Sequence, residues 1–188
     1  VGSFANTVLR AGTVALTANV YDLATATLGA TSLTLGNVRV ASTAGFDVTN
    51  TVVTDAAFQD KLDVLATSAN GKLTIANPAR LAAGDTGAVT LTAATAGVLD
   101  ATVAVGLTSN ANGLAGLTNL ALTGQSVAVT GAAYDYAKPT VAATLALGNV
   151  RANTVGSLAV ANTLVTSADF QDSLDVTAAT AIANLLVT

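Results

Sequence analysis

Ala88-Val89-Thr90-Leu91-Thr92-Ala93 decides the fold. In an extended chain Val89, Leu91 and Ala93 fall on one face and the Thr side chains on the other, because successive residues of a strand point to opposite sides. A helix would scatter the same residues around its circumference. Thr13-Val14-Ala15-Leu16-Thr17 and Ser126-Val127-Ala128-Val129-Thr130 share this period, and all three read as half-buried strands. Composition agrees. Thr and Val are abundant, Ile is confined to Ile75 and Ile182, and the strong helix formers Glu and Met are missing altogether. Turn signals separate the runs. Asn70-Gly71 reads as a two-residue hairpin turn needing positive φ, with further loops at Gly84-Asp85-Thr86-Gly87 and Ser109-Asn110-Ala111-Asn112-Gly113. Many short strands with closely spaced turns predict an all-β antiparallel sandwich or barrel.

An internal repeat sets the organisation of the 188 residues. Leu35-Gly36-Asn37-Val38-Arg39 returns as Leu147-Gly148-Asn149-Val150-Arg151. NTVVTDAAFQDKLDV (Asn50 to Val64) returns as NTLVTSADFQDSLDV (Asn162 to Val176) at an offset of 112, with 11 of 15 positions identical. Val20-Tyr21-Asp22 pairs with Ala133-Tyr134-Asp135 at an offset of 113, so one residue is inserted between the Tyr and the LGNVR segment. A unit of about 110 residues has the size of an immunoglobulin-like sandwich. The chain therefore divides into a tail that is the end of a unit (1–28), a complete unit (29–135) and the beginning of another (136–188). The tail and the partial unit expose apolar strand faces and unpaired edges, and such edges invite another chain.

The LGNVR segment, the following strand Phe46-Asp47-Val48-Thr49-Asn50-Thr51, the Phe-containing segment near Phe58 or Phe170, the Asn-Gly-Leu loop near Asn112 and the Val-x-Val-Thr-Gly-x-x-Tyr ending at Tyr134 carry a resemblance. Together they resemble the choice-of-anchor D type of repeat of secreted and surface-attached bacterial proteins. The resemblance covers nearly the whole chain. It implies an immunoglobulin-like sandwich serving as a spacer or building block, and it implies no activity.

Composition excludes much chemistry. All 11 acidic residues are Asp, and the chain has no His, Cys, Met or Trp. Cys or His nucleophiles, thiolate or imidazole metal sites and haem or iron–sulfur ligation are excluded, and no cofactor is expected. Seven basic residues without a cluster, at a net charge of −4, speak against nucleic acid. Although 52% of residues are hydrophobic, Thr, Asn, Ser or Gly interrupts them every few positions. No membrane span of roughly 20 apolar residues results.

Four groups of residues admit a chemical reading beside a structural one. Asp85-Thr86-Gly87 matches the aspartic-protease triplet, but Ala83-Gly84 precedes it in place of apolar strand residues and the repeat supplies no second triplet, so a hairpin loop is the stronger reading. Asp60 and Asp63, with Asp169, Asp172 and Asp175, bring carboxylates three residues apart, which admits a calcium ion bridging neighbouring loops, although the spacing matches neither an EF-hand nor a nonapeptide calcium repeat. The favoured alternative is a helical turn started by Thr54 or Ser167, which buries Phe58 or Phe170 and turns its Asp residues to water. Lys61, Lys72 and Lys138 raise a Lys–Asn isopeptide cross-link, yet the sequence places no Lys opposite an Asn, and Lys61 aligns with Ser173. Tyr21, Tyr134 and Tyr136 suggest a sugar-stacking platform. A Tyr whose hydroxyl bonds backbone at a strand end is preferred.

Val1 opens the sequence without a charged or apolar leader, which reads as a processed chain or an ordered part of one, with secretion the expectation. The expected function is a non-enzymatic structural subunit of an extracellular filament or cell-surface assembly. Val8, Val14, Leu16 and Val20 of the tail would donate a strand, and Leu147, Val150, Leu158, Val160, Leu174 and Val176 of the next copy's partial unit would accept it. The partner is then an identical subunit in a homo-polymer. The alternative is an adhesin or carbohydrate-binding piece of a longer repeat protein, with surface polysaccharide as partner.

Overall fold

Alternation builds two facing sheets in the computed structural model, which describes residues 12–178. In chain order the strands of the complete unit are β1 (Ala26–Leu28), β2 (Ser32–Arg39), β3 (Thr43–Asn50), β4 (Lys61–Ser68), β5 (Leu73–Ala76), β6 (Thr86–Ala93), β7 (Gly97–Val98), β8 (Ala101–Asn110), β9 (Leu120–Ala121) and β10 (Gln125–Tyr134). One sheet has the order β1-β3-β6-β5. The other has the order β2-β10-β8-β4, with β7 beside β10 and β9 beside β8. The all-β sandwich is as expected. Its inner faces are the apolar halves of the alternating runs: Val89 and Leu91 from β6, Val103 and Val105 from β8, Val127 and Val129 from β10, with Val48 and Leu62, all essentially inaccessible to water. Burying each such side chain contributes about 1.5–3 kcal/mol.

Two sequence expectations are corrected. The sandwich is not purely antiparallel, because β2 and β10 run parallel, from Ser32 beside Ala128 to Arg39 beside Tyr134. Alternation specifies which face is buried and not which way a neighbour runs, and the intervening strands supply the long crossover a parallel pair requires. The register slips between Thr130 and Gly131. Gly36 and Gly131 meet there with φ of 64° and 152°, and a Cβ on residue 131 would lie 2.7 Å from the Gly36 carbonyl oxygen. Asn70-Gly71, in turn, makes no hairpin. It carries the chain from β4 in one sheet to β5 in the other, and Asn70 braces the corner by donating from Nδ2 to the carbonyls of Val98 (3.2 Å) and Asp100 (3.3 Å).

The beginning of the second unit forms β11 (Pro139–Val141), paired antiparallel with β12 (Val160–Asn162), and a 3-10 turn at Ala168–Phe170. Among the described residues no helix is long and apolar enough to cross a membrane.

Candidate functional site

The repeated sequence builds the same polar motif twice. In the complete unit Gln59 Nε2 donates to Asn50 Oδ1 (3.0 Å) and to the Thr51 carbonyl (2.8 Å), while Gln59 Oε1 accepts from the Val53 amide (2.8 Å). In the second unit Gln171 makes the same three bonds to Asn162 Oδ1, the Thr163 carbonyl and the Val165 amide, each at 2.9 Å. Asn50 Nδ2 donates to the Asp60 carbonyl (3.0 Å), and Asn162 Nδ2 to the Asp172 carbonyl (2.8 Å). Tyr21 packs on Phe58, and Tyr134 on Phe170, both with ring centroids 5.6 Å apart. Each motif captures the chain entering its unit. Asp22 donates its amide to the Phe58 carbonyl (2.8 Å) and accepts from the Asp60 amide (2.9 Å), as Asp135 does with Phe170 (2.9 Å) and Asp172 (3.0 Å).

What enters the two motifs differs. Into the second runs β10, paired on both sides. Into the first runs 12–20, which has no strand partner among the described residues, so that the half-buried strand expected at Thr13–Thr17 is instead an exposed segment outside any strand. Val14, Leu16 and Val20 are 92%, 90% and 83% exposed, whereas their repeat counterparts Val127, Val129 and Ala133 are 0%, 1% and 0% exposed. The tail thus leaves in water the apolar positions that the complete unit buries in β10. Val8 lies outside the described residues.

The residues expected to accept the tail also differ from their repeat counterparts. Val150, Leu158, Val160 and Val176 are exposed, and Leu147 and Leu174 half-buried. Phe46, Val48, Leu62 and Val64, the counterparts of Leu158, Val160, Leu174 and Val176, are core residues. In the complete unit the loop before β6 covers Asn50, which donates from Nδ2 to the Leu81 carbonyl (3.3 Å) and from its amide to the Asp85 carbonyl (3.0 Å). Around Asn162 the same place is an open cavity of about 360 Å³, lined by Asn162, Leu164, Gln171 and Asp172 among others. A cation–π contact and an ion pair tie the two units together: the Arg39 guanidinium stands 4.8 Å above the Tyr136 ring and pairs with Asp172.

Asp85 Oδ2 accepts from the Ala82 amide (3.1 Å), so this carboxylate holds its own loop. The turn Ala56–Phe58 is capped by Asp55 and not by Thr54, with Oδ1 accepting from the Ala57 amide at 2.9 Å. Ser167 occupies the corresponding cap position without a side-chain bond. Phe58 is exposed and Asp60 buried, the reverse of the expectation, because Ser109 Oγ donates to Asp60 Oδ2 (2.8 Å) and thereby supports it inside. Asp63 binds Arg80, whose Nε lies 2.7 Å from Oδ1; this hydrogen bond is the main reason its carboxyl is held below the usual carboxylate range. Among the described residues no three carboxylates converge on a common point for a metal ion.

Lys61 does stand directly opposite Asn110 in the β4–β8 register, a juxtaposition the sequence did not disclose. Asn110 is otherwise engaged. Its Nδ2 donates to Asp63 Oδ2 (2.5 Å) and its Oδ1 accepts from the Asn112 amide (2.8 Å). A carboxylate kept ionised by Arg80 is also the wrong acid for cross-linking, which needs a proton to activate the amide. The three Tyr do not share one platform, since Tyr21 and Tyr134 each pack on their own Phe and Tyr136 lies under Arg39. Among the described residues the Tyr21 and Tyr134 side chains act through their rings, and no Tyr hydroxyl bonds backbone.

No family model matches this sequence, and no curated protein matches it. The residues overlooked in the sequence are Asn50, Gln59, Asn162 and Gln171. Their signal was present: Asn and Gln recur nine residues apart in both copies of the most faithful stretch of the repeat.

Proposed function

We propose that this chain is a structural subunit of an extracellular filament or surface assembly, in which β-sandwich units join in series by strand complementation. The tail of one copy would close the partial unit of the next. One observation carries the reading: Val14, Leu16 and Val20 stand in water although their repeat counterparts are core residues of β10. Burying three such side chains contributes several kcal/mol, at about 1.5–3 kcal/mol each, before main-chain bonds are added. Donor and acceptor occupy different parts of the chain, so the contact is heterologous and propagates. The resemblance to choice-of-anchor D repeats supports an extracellular setting.

A second reading, an adhesin or carbohydrate-binding array of tandem units, draws on a separate observation. Closing the partial unit as the complete one is closed also requires counterparts of β6 and β8, whose repeat positions fall beyond residue 188. A continuing array would supply them within one polypeptide.

The test compares the intact chain with a Val14→Asp/Leu16→Asp variant by sedimentation and negative-stain electron microscopy. Both substitutions lie on exposed positions and leave the complete unit folded. Filaments or concentration-dependent oligomers from the intact chain alone support strand complementation. Monomers from both would overturn the filament reading.

A further inference from the structure

We infer that the tail docks parallel to segment 144–151 of a second copy, in the register that joins β10 to β2; this rests on the strand-complementation reading above. In the complete unit Ala128, Val129 and Thr130 lie beside Ser32, Leu33 and Thr34, and Gly131 beside Gly36 after the register slip. The repeat offsets of 113 and 112 carry this onto Ala15, Leu16 and Thr17 beside Thr144, Leu145 and Ala146 of the second copy, with Ala18 beside Gly148. The occupant is a second copy of this chain because the tail matches β10 in period and in its exposed apolar face, while Leu145 and Val150 of the receiving segment are exposed in turn.

The receiving segment already holds the backbone shape that the docking needs. Gly148 has φ 62°, against 64° at Gly36, although 144–151 has no strand partner among the described residues. A left-handed glycine in an unpaired segment is the feature that, in the complete unit, sits at the slip in the parallel ladder. The acceptor side therefore carries the glycine geometry of the register slip before the donor arrives.

The tail departs from β10 at one position, and the departure makes the register testable. Ala18 stands where β10 has Gly131, whose place admits no Cβ: one built there lies 2.7 Å from the Gly36 carbonyl oxygen and 2.9 Å from Leu35 Cβ. Its φ of 152° is also one that a side chain disfavours. The joint is then tight over Ala15 to Thr17 and strained at Ala18. In this register Ala18→Gly relieves the strain and strengthens association by about tenfold, the effect of removing modest overpacking. In any other docking of an exposed strand the same change weakens association, because Gly costs conformational entropy and packs nothing.

The chain contains no Cys, so introduced thiols report geometry without background. Thr17→Cys chains mixed with Ala146→Cys chains are expected to give a disulfide heterodimer under mild oxidation, since the β10 and β2 residues they match, Thr130 and Thr34, are paired and both exposed. Ala15→Cys mixed with Asn149→Cys tests the reversed direction and is expected to give at least tenfold less. Cross-linking of the second pair at equal or greater yield, or weaker association of Ala18→Gly, would overturn the parallel register while leaving strand complementation standing. Monomers at every concentration, with neither pair cross-linked, would remove both.

Discussion

Val48 is fully buried and Val160, its repeat counterpart, is exposed, yet the hydrogen bonds around the neighbouring Asn50 and Asn162 are nearly superimposable in length. The polar motif needs only the short stretch from the Asn to the Asp that follows the Gln, together with the Tyr-Asp pair arriving from upstream. A hydrophobic core needs the opposing faces of β6, β8 and β10, which come from far along the chain. Local wiring and core burial are therefore separable here. The second unit has the first without the second, and the tail has an apolar face without either.

Substitutions at matched positions sharpen this contrast. The largest expected effect is at Leu62, fully buried between the sheets. Leu62→Ala should lower unfolding free energy by about 2–5 kcal/mol, and Leu174→Ala, at the half-buried counterpart, by no more than about 0.5 kcal/mol. Urea denaturation of the two variants checks it, and equal losses would mean that the partial unit has a core of its own.

A smaller difference is expected at the Asn pair. Asn50→Ala leaves Gln59 and the Leu81 and Asp60 carbonyls without their partner in the interior, a cost of about 1–3 kcal/mol. Asn162→Ala frees groups that water can reach, and the global unfolding midpoint should hardly move. Local amide exchange at Val165 should nevertheless quicken, because Gln171 loses the Asn162 Oδ1 that orients it. Unchanged exchange there would show that the motif does not order the second unit.

The smallest effect is electrostatic and belongs to the complete unit. Arg80 holds the Asp63 carboxyl below its ordinary value of 3.8, chiefly through a hydrogen bond. The folded chain therefore binds this proton less readily than the unfolded one. Its stabilisation is present above the unfolded value and is lost as pH falls through the lower folded value. Asp63 is more than a third exposed, so solvent screening limits the contribution to under about 1 kcal/mol. In Arg80→Ala the urea midpoint should be slightly lower at pH 7, and its further fall in acid shallower than in the wild type.

Much of the fold was legible because alternation is a local signal. The runs at Ala88–Ala93 and Ser126–Thr130 lie within β6 and β10. The same signal at Thr13–Thr17 predicted a half-buried strand where the chain is exposed and in no strand, because period does not say whether a pairing neighbour is at hand. Direction was not legible either, since period is blind to whether β2 and β10 run together or opposed. Asp60 looked like a surface carboxylate because the hydroxyl that supports it, on Ser109, comes from a distant strand. The Asp55 cap was misplaced by one residue for a simpler reason: Thr54 and Asp55 are adjacent and both can cap. The candidate interface was readable as a phase mismatch in the repeat, whereas its polar anchors, Asn162 and Gln171, became meaningful only once their bonds to backbone were seen.

The most direct test of the account follows amide hydrogen exchange across residues 13–20 as chain concentration is raised, with 127–133 of β10 as the internal standard. If the tail is a closing strand awaiting its sandwich, its amides exchange freely in dilute monomer. They then acquire protection approaching that of β10 in the assembled state. Assembly that leaves 13–20 exchanging as fast as in the monomer would contradict the account.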